Sequence, residues 1–382
     1  MHISFLTPEY PHSLSGPSGG LGTSIKNLAE TLVNKNVEVS VVIYGQSQAA
    51  EFDENGIHFY FLKNQRYAIG GWYFHRRYIQ KFLNQIIKQK DIDLIEATDW
   101  IGITAFIKLN CPLVIRLNGS DAYFCKLEGR PQKFKNRLFE KIALKKADSL
   151  VSVSRFTAEK TSSVFGINRK YEIIPNSIEL RSFSVSNRNE KTNSILYFGT
   201  IIRKKGVLEL AYIFNEVIKH KPEAELIMVG KDVKDVREHE STIELFKRIL
   251  SSEALKRFSY QGAVAYEKIT EYIEKASVVV LPSLAEALPM TWLEAMAMEK
   301  ALVTSNIGWA KEVMVNGETG YMVNPIKHLE YADRIIQLIE DPELRSVFGK
   351  NARQKVLEEF NADVVANRNI VFYKSVLKLS GN

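Results

Sequence analysis

Cysteine is nearly absent: Cys111 and Cys125 are the only two in 382 residues. Two thiols cannot build a disulfide framework or a four-ligand zinc site, so reduced thiols are expected. Long apolar runs are missing as well, none approaching the roughly 18 residues that read as a membrane-spanning helix. The opening stretch MHISFLTPEYP has no basic segment ahead of an apolar one, so it does not read as a secretory signal, and a cytoplasmic location is expected. Acidic residues are scarce in one half only. Residues 1–178 hold 23 Lys and Arg against 16 Asp and Glu, whereas residues 179–382 hold 28 of each. The net charge of +7 therefore belongs to the first half. That half suits an anionic partner such as a phosphorylated acceptor or a membrane surface, with a solvated surface as the plain alternative.

The length suits two domains of roughly 150–200 residues, and 45% apolar with 25% charged residues is an ordinary globular balance. Ile3 to Thr7, Val37 to Tyr44, Ile57 to Leu62, Pro112 to Leu117 and Leu150 to Ser154 read as strands, and Leu21 to Val33 as a helix. Trp72 to Lys90 reads as a helix carrying Trp72, Tyr73, Phe74 and Tyr78 among His75, Arg76, Arg77 and Lys81. That mixture suits an interfacial helix; the plainer expectation is that these aromatics are its buried face. In Gln132 to Lys146, fourfold spacing sets Phe134, Leu138 and Ile142 on an apolar face ringed by Lys133, Lys135, Arg137 and Lys141. Because aromatic and basic residues follow helical burial patterns, nucleic acid is not an expected partner.

Residues 181–194 are polar and aperiodic, as in a linker. Strand and helix then alternate again, through strands at Ile195 to Phe198, Glu225 to Val229 and Val278 to Leu281. Such alternation implies doubly wound parallel sheets with right-handed crossovers. The expected domains are 1–178 and 179–360.

Everything turns on Pro282 to Met298. The β-branched run Val278 to Leu281 stops at Pro282-Ser283, and a helix follows Pro289. Glu286 and Glu294 flank the start of that helix with seven residues between them. At about 1.5 Å per residue they stand at most about 12 Å apart, too far to share a proton and right for opposite ends of one polyhydroxyl ligand. The backbone N–H groups of Leu288 and Met290 lie between them at a helix N-terminus, where phosphate is favoured. Polyol, phosphate, polyol is the outline of a nucleotide sugar. Taken by spacing alone, an ordinary strand-turn-helix with one capping and one solvated glutamate fits as well.

Glu286-Ala-Leu-Pro-Met-Thr-Trp-Leu-Glu294 resembles the E-x7-E motif of the retaining glycosyltransferase family 4. The resemblance implies an α/β chain of GT-B fold, two Rossmann-like doubly wound domains facing each other across a cleft, with a final helix, 361–382, returning to the first. It implies that Glu286 contacts the donor sugar, that Glu294 grips the ribose, and that Leu288, Met290 and Thr291 line the donor site. Leu288-Pro289 stands where the family often has Phe-Gly. Ser18-Gly19-Gly20 resembles the family's glycine loop, placing Gly20 near the donor diphosphate. Asn118-Gly-Ser-Asp121 resembles a strand end that reads His-Gly-Ser-Asp in the family. Asn118 can position a sugar but cannot carry a proton at neutral pH. Gly199 to Gly206 resembles a G-R-L-x-x-x-K-G segment whose Arg and Lys hold the diphosphate. Lys205 falls on the Lys, Thr200 on the Arg, and Arg203 is expected to supply the missing charge. Asp99, at a strand's carboxyl end, is an acceptor-site candidate.

The implied reaction is transfer of a sugar from a nucleoside-diphosphate sugar to a glycan or lipid-linked acceptor with retention. Charge developing on the leaving phosphate is met by Lys205, Arg203 and backbone donors. No cofactor or metal is expected, since Asp91-Ile-Asp93 reads as surface. Asn118 and Thr200 leave two rivals standing: a catalytically weak subunit that binds a nucleotide sugar, and an epimerase of GT-B fold.

Overall fold

Each half of the chain closes its own parallel sheet. The computed structural model describes residues 1–16, 18–185 and 190–380, so residues 186–189 of the expected linker lie outside the described residues. One compact unit is Met1–Ser177 with the segment from Ala362 onward; the other is Ile178–Asn361.

The first unit carries an eight-stranded sheet of β1 His2–Thr7, β2 Glu38–Gln46, β3 Ala50–Glu54, β4 Ile57–Lys63, β5 Leu94–Thr98, β6 Leu113–Leu117, β7 Ser149–Ser152 and β8 Glu172–Ile173. Their order is β3-β4-β2-β1-β5-β6-β7-β8, and every pairing is parallel except the β3–β4 hairpin. Asn55 (φ 52°) and Gly56 (φ 79°) make that hairpin's turn, the left-handed pair that a two-residue loop needs. Chain order reverses between β1 and β5, so the loops after these strands open at the sheet's switch point, where parallel sheets gather ligands. Helices α1 Gly20–Asn34, α2 Gly71–Lys90, α3 Asp121–Glu128 and α4 Phe134–Lys146 belong to this unit.

Two expectations about its helices fail. α2 buries Ile79, Leu83, Ile86 and Ile87 together with Arg76, while Trp72, Tyr73 and Phe74 are exposed. Arg76 takes the inward place in the first turns, donating to the carbonyls of Trp72 (2.9 Å) and Gly102 (3.0 Å) with its guanidinium 4.3 Å from the Phe139 ring. In α4 the buried side chains are Phe139, Glu140, Ala143 and Leu144, and Phe134 and Leu138 face solvent. The deciding feature is Glu140, which accepts the N–H groups of Asp121 and Ala122 at 3.1 Å each and so caps α3 from within the core.

The C-terminal helix Ala362–Ser380 completes the first unit. Its Tyr373 hydroxyl donates to Glu96 (2.8 Å), which is paired through both oxygens with Arg116 (2.6 and 3.0 Å). Asn369 accepts from the same guanidinium at 2.5 Å. All four side chains are buried, so a charge pair that would be costly alone is satisfied on every side.

The second unit holds six strands: β9 Ser194–Phe198, β10 Glu225–Val229, β11 Phe258–Tyr260, β12 Val278–Leu281, β13 Ala301–Ser305 and β14 Tyr321–Val323. Their order is β11-β10-β9-β12-β13-β14, all parallel. β9 and β12 are fully buried, as apolar runs covered by helices on both faces should be. Chain order reverses between them. The turn after β9 and the turn after β12 therefore meet at this sheet's switch point.

Candidate active site

Close backbone approach joins the two turns of the second unit. Gly206 has φ 69°, and a Cβ there would stand 1.8 Å from the carbonyl oxygen of Pro282, so no other residue fits. The carbonyl of Lys204 accepts the N–H groups of Leu284 (2.8 Å) and Ala285 (3.1 Å). Thr291 lies against Gly199, where a Cβ would meet its methyl carbon at 3.5 Å. The short helix Met290–Ala297 starts from Pro289 at its N-cap, with Leu288 and Met290 buried at its entry.

This scaffold brings Lys205 and Glu286 together. Lys205 Nζ is 2.6 Å from Glu286 Oε1, and the Ser283 hydroxyl donates to the same oxygen at 3.0 Å. Glu286 is 8% exposed, hence a buried carboxylate held by a cation and a hydroxyl. Glu294, on the inner face of the helix, accepts from the Tyr266 hydroxyl at 2.9 Å. Burial pushes its carboxyl up to about 7, against the lowering effects of the Tyr266 hydrogen bond and of Lys205.

Arg203 sits differently from expectation. Its Nε and Nη2 donate to the two oxygens of Asp235 at 2.7 and 2.9 Å, and Asp235 also accepts the N–H groups of Arg237 and Glu238 at 2.9 Å each. The guanidinium fork is thus spent on an internal carboxylate, and the Arg203 hydrogen bond holds Asp235 down at about 2. Arg203, expected to supply the charge of the family's missing arginine, is set on Asp235 here, and Lys205 is the cation in the turn set against Glu286.

In the first unit, Asp99 and Asn118 are neighbours at the ends of β5 and β6. The Asn118 N–H donates to Asp99 Oδ1 at 3.1 Å. Asp99 is 3% exposed, and burial pushes its carboxyl up to about 8. Asp99 Oδ2 and Asn118 Oδ1 are both buried without a hydrogen-bond partner. With its carboxyl largely protonated at neutral pH, Asp99 can donate as well as accept, so these two unpartnered oxygens on neighbouring strand ends leave hydrogen-bonding capacity for a hydroxyl from outside. Gly20 opens α1, but the anion at that helix start is internal: Glu9 Oε1 accepts the N–H groups of Gly19 (3.1 Å) and Gly22 (3.0 Å). Tyr266, Asp235 and Glu9 carry no local pattern that marks them in the sequence, since each bonds a residue well separated along the chain, whereas Ser283 bonds Glu286 within one turn. Among the described residues no helix is long and apolar enough to cross a membrane.

Residues 18–182 match the family described as Glycosyltransferase Family 4, and residues 179–355 match Glycosyl transferases group 1. An uncharacterized glycosyltransferase of Methanocaldococcus jannaschii is 24% identical, with 100% of both chains covered. The GDP-mannose-dependent monoacylated alpha-(1-6)-phosphatidylinositol monomannoside mannosyltransferase of Corynebacterium glutamicum is 22% identical over 74% of this chain and 77% of that one. The crystal structure of Anabaena HepE in complex with UDP and glucose superposes with a TM-score of 0.77 at 18% identity, covering 98% of this chain and 100% of the other. That likeness speaks for the fold, which is GT-B, two Rossmann-like domains each built on a parallel sheet. With one glycosyltransferase model matched by each half, the chain belongs to the GT4-type glycosyltransferases.

Proposed function

We propose that the chain transfers a sugar, with retention, from a nucleoside-diphosphate sugar bound by the second unit to a hydroxyl of a glycan or lipid-linked acceptor bound by the first. The observation that carries this reading is the pairing of Lys205 with Glu286 at 2.6 Å beside the helix that bears Glu294, at the switch point of a parallel sheet. In it, Glu294 accepts the ribose hydroxyls and Glu286 orients the sugar hydroxyls. Lys205, Leu288, Met290 and Thr291 surround the diphosphate. The bond from the anomeric carbon to the diphosphate oxygen breaks with its electron pair leaving on the phosphate, and Lys205 stabilises that growing charge. The acceptor oxygen bonds to the same face of the carbon, and its proton passes to the departing phosphate, so no side chain serves as general base. Asp99 and Asn118, with their orphan oxygens, receive acceptor hydroxyls. The relatives' names, a phosphatidylinositol mannoside mannosyltransferase and a capsular polysaccharide glycosyltransferase among them, support such acceptors.

Calorimetric titration with UDP-, GDP- and ADP-sugars in the presence of chelator tests the reading. One donor should bind, and Glu294→Ala should lose it; no binding across the panel would sink the donor assignment. Turnover of the bound donor that depends on an added acceptor separates a transferase from a binding subunit or an epimerase.

A further inference from the structure

The first turns of α2 and α4 leave large apolar side chains in solvent. Trp72, Tyr73 and Phe74 are 40%, 41% and 50% exposed, Ile69 85% and Phe134 78%. They form one patch. Ring centroids run from Tyr67 to Phe74 (5.6 Å), Phe74 to Tyr73 (5.6 Å) and Tyr73 to Trp72 (5.8 Å). Lys135 Nζ lies 6.0 Å from the Trp72 ring centre, which sets the first turn of α4, and Phe134 with it, alongside. Beneath, Trp72 stacks on Phe139 at 5.0 Å, so the patch rests on the rigid core of the unit. Isolated exposed apolar residues need no explanation, but a contiguous aromatic group marks an interaction surface.

The surrounding charge says what kind of surface it meets. From residue 55 to residue 90 the chain has seven basic residues, of which Arg76 is buried, and no acid. From 129 to 147 it has seven basic residues and one acid, Glu140, which is fully buried. The acids facing this region from α3, Asp121 and Glu128, are already set against Arg130 at 3.6 and 3.1 Å. Arg77 follows Tyr73 by four positions and Phe74 by three, so all three share one side of α2. Amphipathic rings ringed by cations alone match the headgroup zone of an anionic bilayer, where Trp and Tyr settle and Lys and Arg meet lipid phosphate.

We propose that the first unit docks on an anionic lipid bilayer, inserting Ile69, Trp72, Tyr73, Phe74 and Phe134 at headgroup depth with Arg77, Lys133 and Lys135 on lipid phosphates. The patch shares no residue with the donor site, so it stands or falls separately from the transfer reaction.

Flotation of the full chain with vesicles of phosphatidylcholine, alone or mixed roughly three to one with phosphatidylglycerol, tests it. Binding should require the anionic lipid and weaken with salt. Arg77→Gln, Lys133→Gln and Lys135→Gln together should reduce partitioning about 100-fold, at about fivefold per charge. Brominated lipids should quench fluorescence in the parent protein and not in Trp72→Phe, and Phe74→Ser with Phe134→Ser should abolish that quenching. These side chains are exposed, so the variants should melt with the parent and still bind donor. Equal binding to neutral vesicles, no vesicle binding, or quenching that survives the Phe substitutions would each overturn the proposal. A lipid-free dimer that the Phe substitutions dissolve would assign the patch to a second copy and overturn it equally.

Discussion

The Tyr266 hydroxyl donates to Glu294 at 2.9 Å, so the carboxylate proposed to grip a ribose already holds one hydroxyl of the chain's own. Burial keeps that carboxyl titrating near 7, and only the ionised form accepts two ribose hydroxyls. Donor binding at pH 6 should therefore release close to one proton, seen as a heat that differs between phosphate and Bis-Tris buffers. Glu294→Gln should erase the difference. If the parent shows none at pH 6, Glu294 does not titrate on binding. The same shift costs stability in a defined direction. The folded state keeps a proton that the unfolded chain has lost, so Glu294 lowers stability as pH rises from the usual carboxylate range to about 7 and no further.

Lys205 and Glu286 neutralise each other in a mostly buried setting. Lys205→Ala should cost about 3 kcal/mol of stability by stranding the carboxylate. It should also lower kcat by roughly 100-fold or more, while donor affinity moves less. Pairing it with Glu286→Gln should recover much of the melting temperature and none of the turnover. A single variant with normal kcat would remove Lys205 from the reaction.

Arg203 separates a structural cation from a phosphate clamp. With its fork on Asp235, Arg203→Ala should destabilise the second unit while leaving donor affinity within a fewfold. Asp235 is held well below its free value, so it contributes stability above the usual carboxylate range, lost as pH falls through about 2. Urea midpoints of the parent and Asp235→Asn should converge on acidification. A loss of donor binding in Arg203→Ala without a loss of stability would restore the clamp.

Gly206→Ala combines a left-handed φ with a clash against the Pro282 carbonyl, and should cost more than about 3 kcal/mol and disperse the donor turns. Gly45 has φ 76° with nothing within 4 Å of a Cβ, so Gly45→Ala should cost only about 1–2 kcal/mol. Similar melting curves for the two would mean that the 199–206 turn is not packed as described.

Much of the fold was legible because its signals are local. The run Val278 to Leu281, buried on both faces of a parallel sheet, shows in composition alone. The hairpin β3–β4 had a local signal too, Asn55-Gly56, but the polar stretch before it has no apolar alternation strong enough to suggest a strand. α2 and α4 misled because their inward positions are taken by Arg76 and Glu140, which periodicity assigns to the surface. What decides those positions is non-local: a guanidinium finding the carbonyl of Gly102, a carboxylate finding the start of another helix. The same holds at the site. Glu286 and Glu294 stand in one segment and can be found by spacing, whereas Tyr266 and Asp235 matter through partners about 30 residues away that no short window of sequence contains.

The helix Ala362–Ser380 locks Glu96 and Arg116 by Tyr373 and Asn369, which lie more than 250 residues further along the chain. During synthesis, the ribosome must translate the whole second unit before that buried charge pair can be closed. Until then the first sheet waits with a carboxylate and a guanidinium whose remaining partners are unmade. Chain-length-resolved proteolysis of nascent chains would see the second unit become resistant first, though it is encoded second.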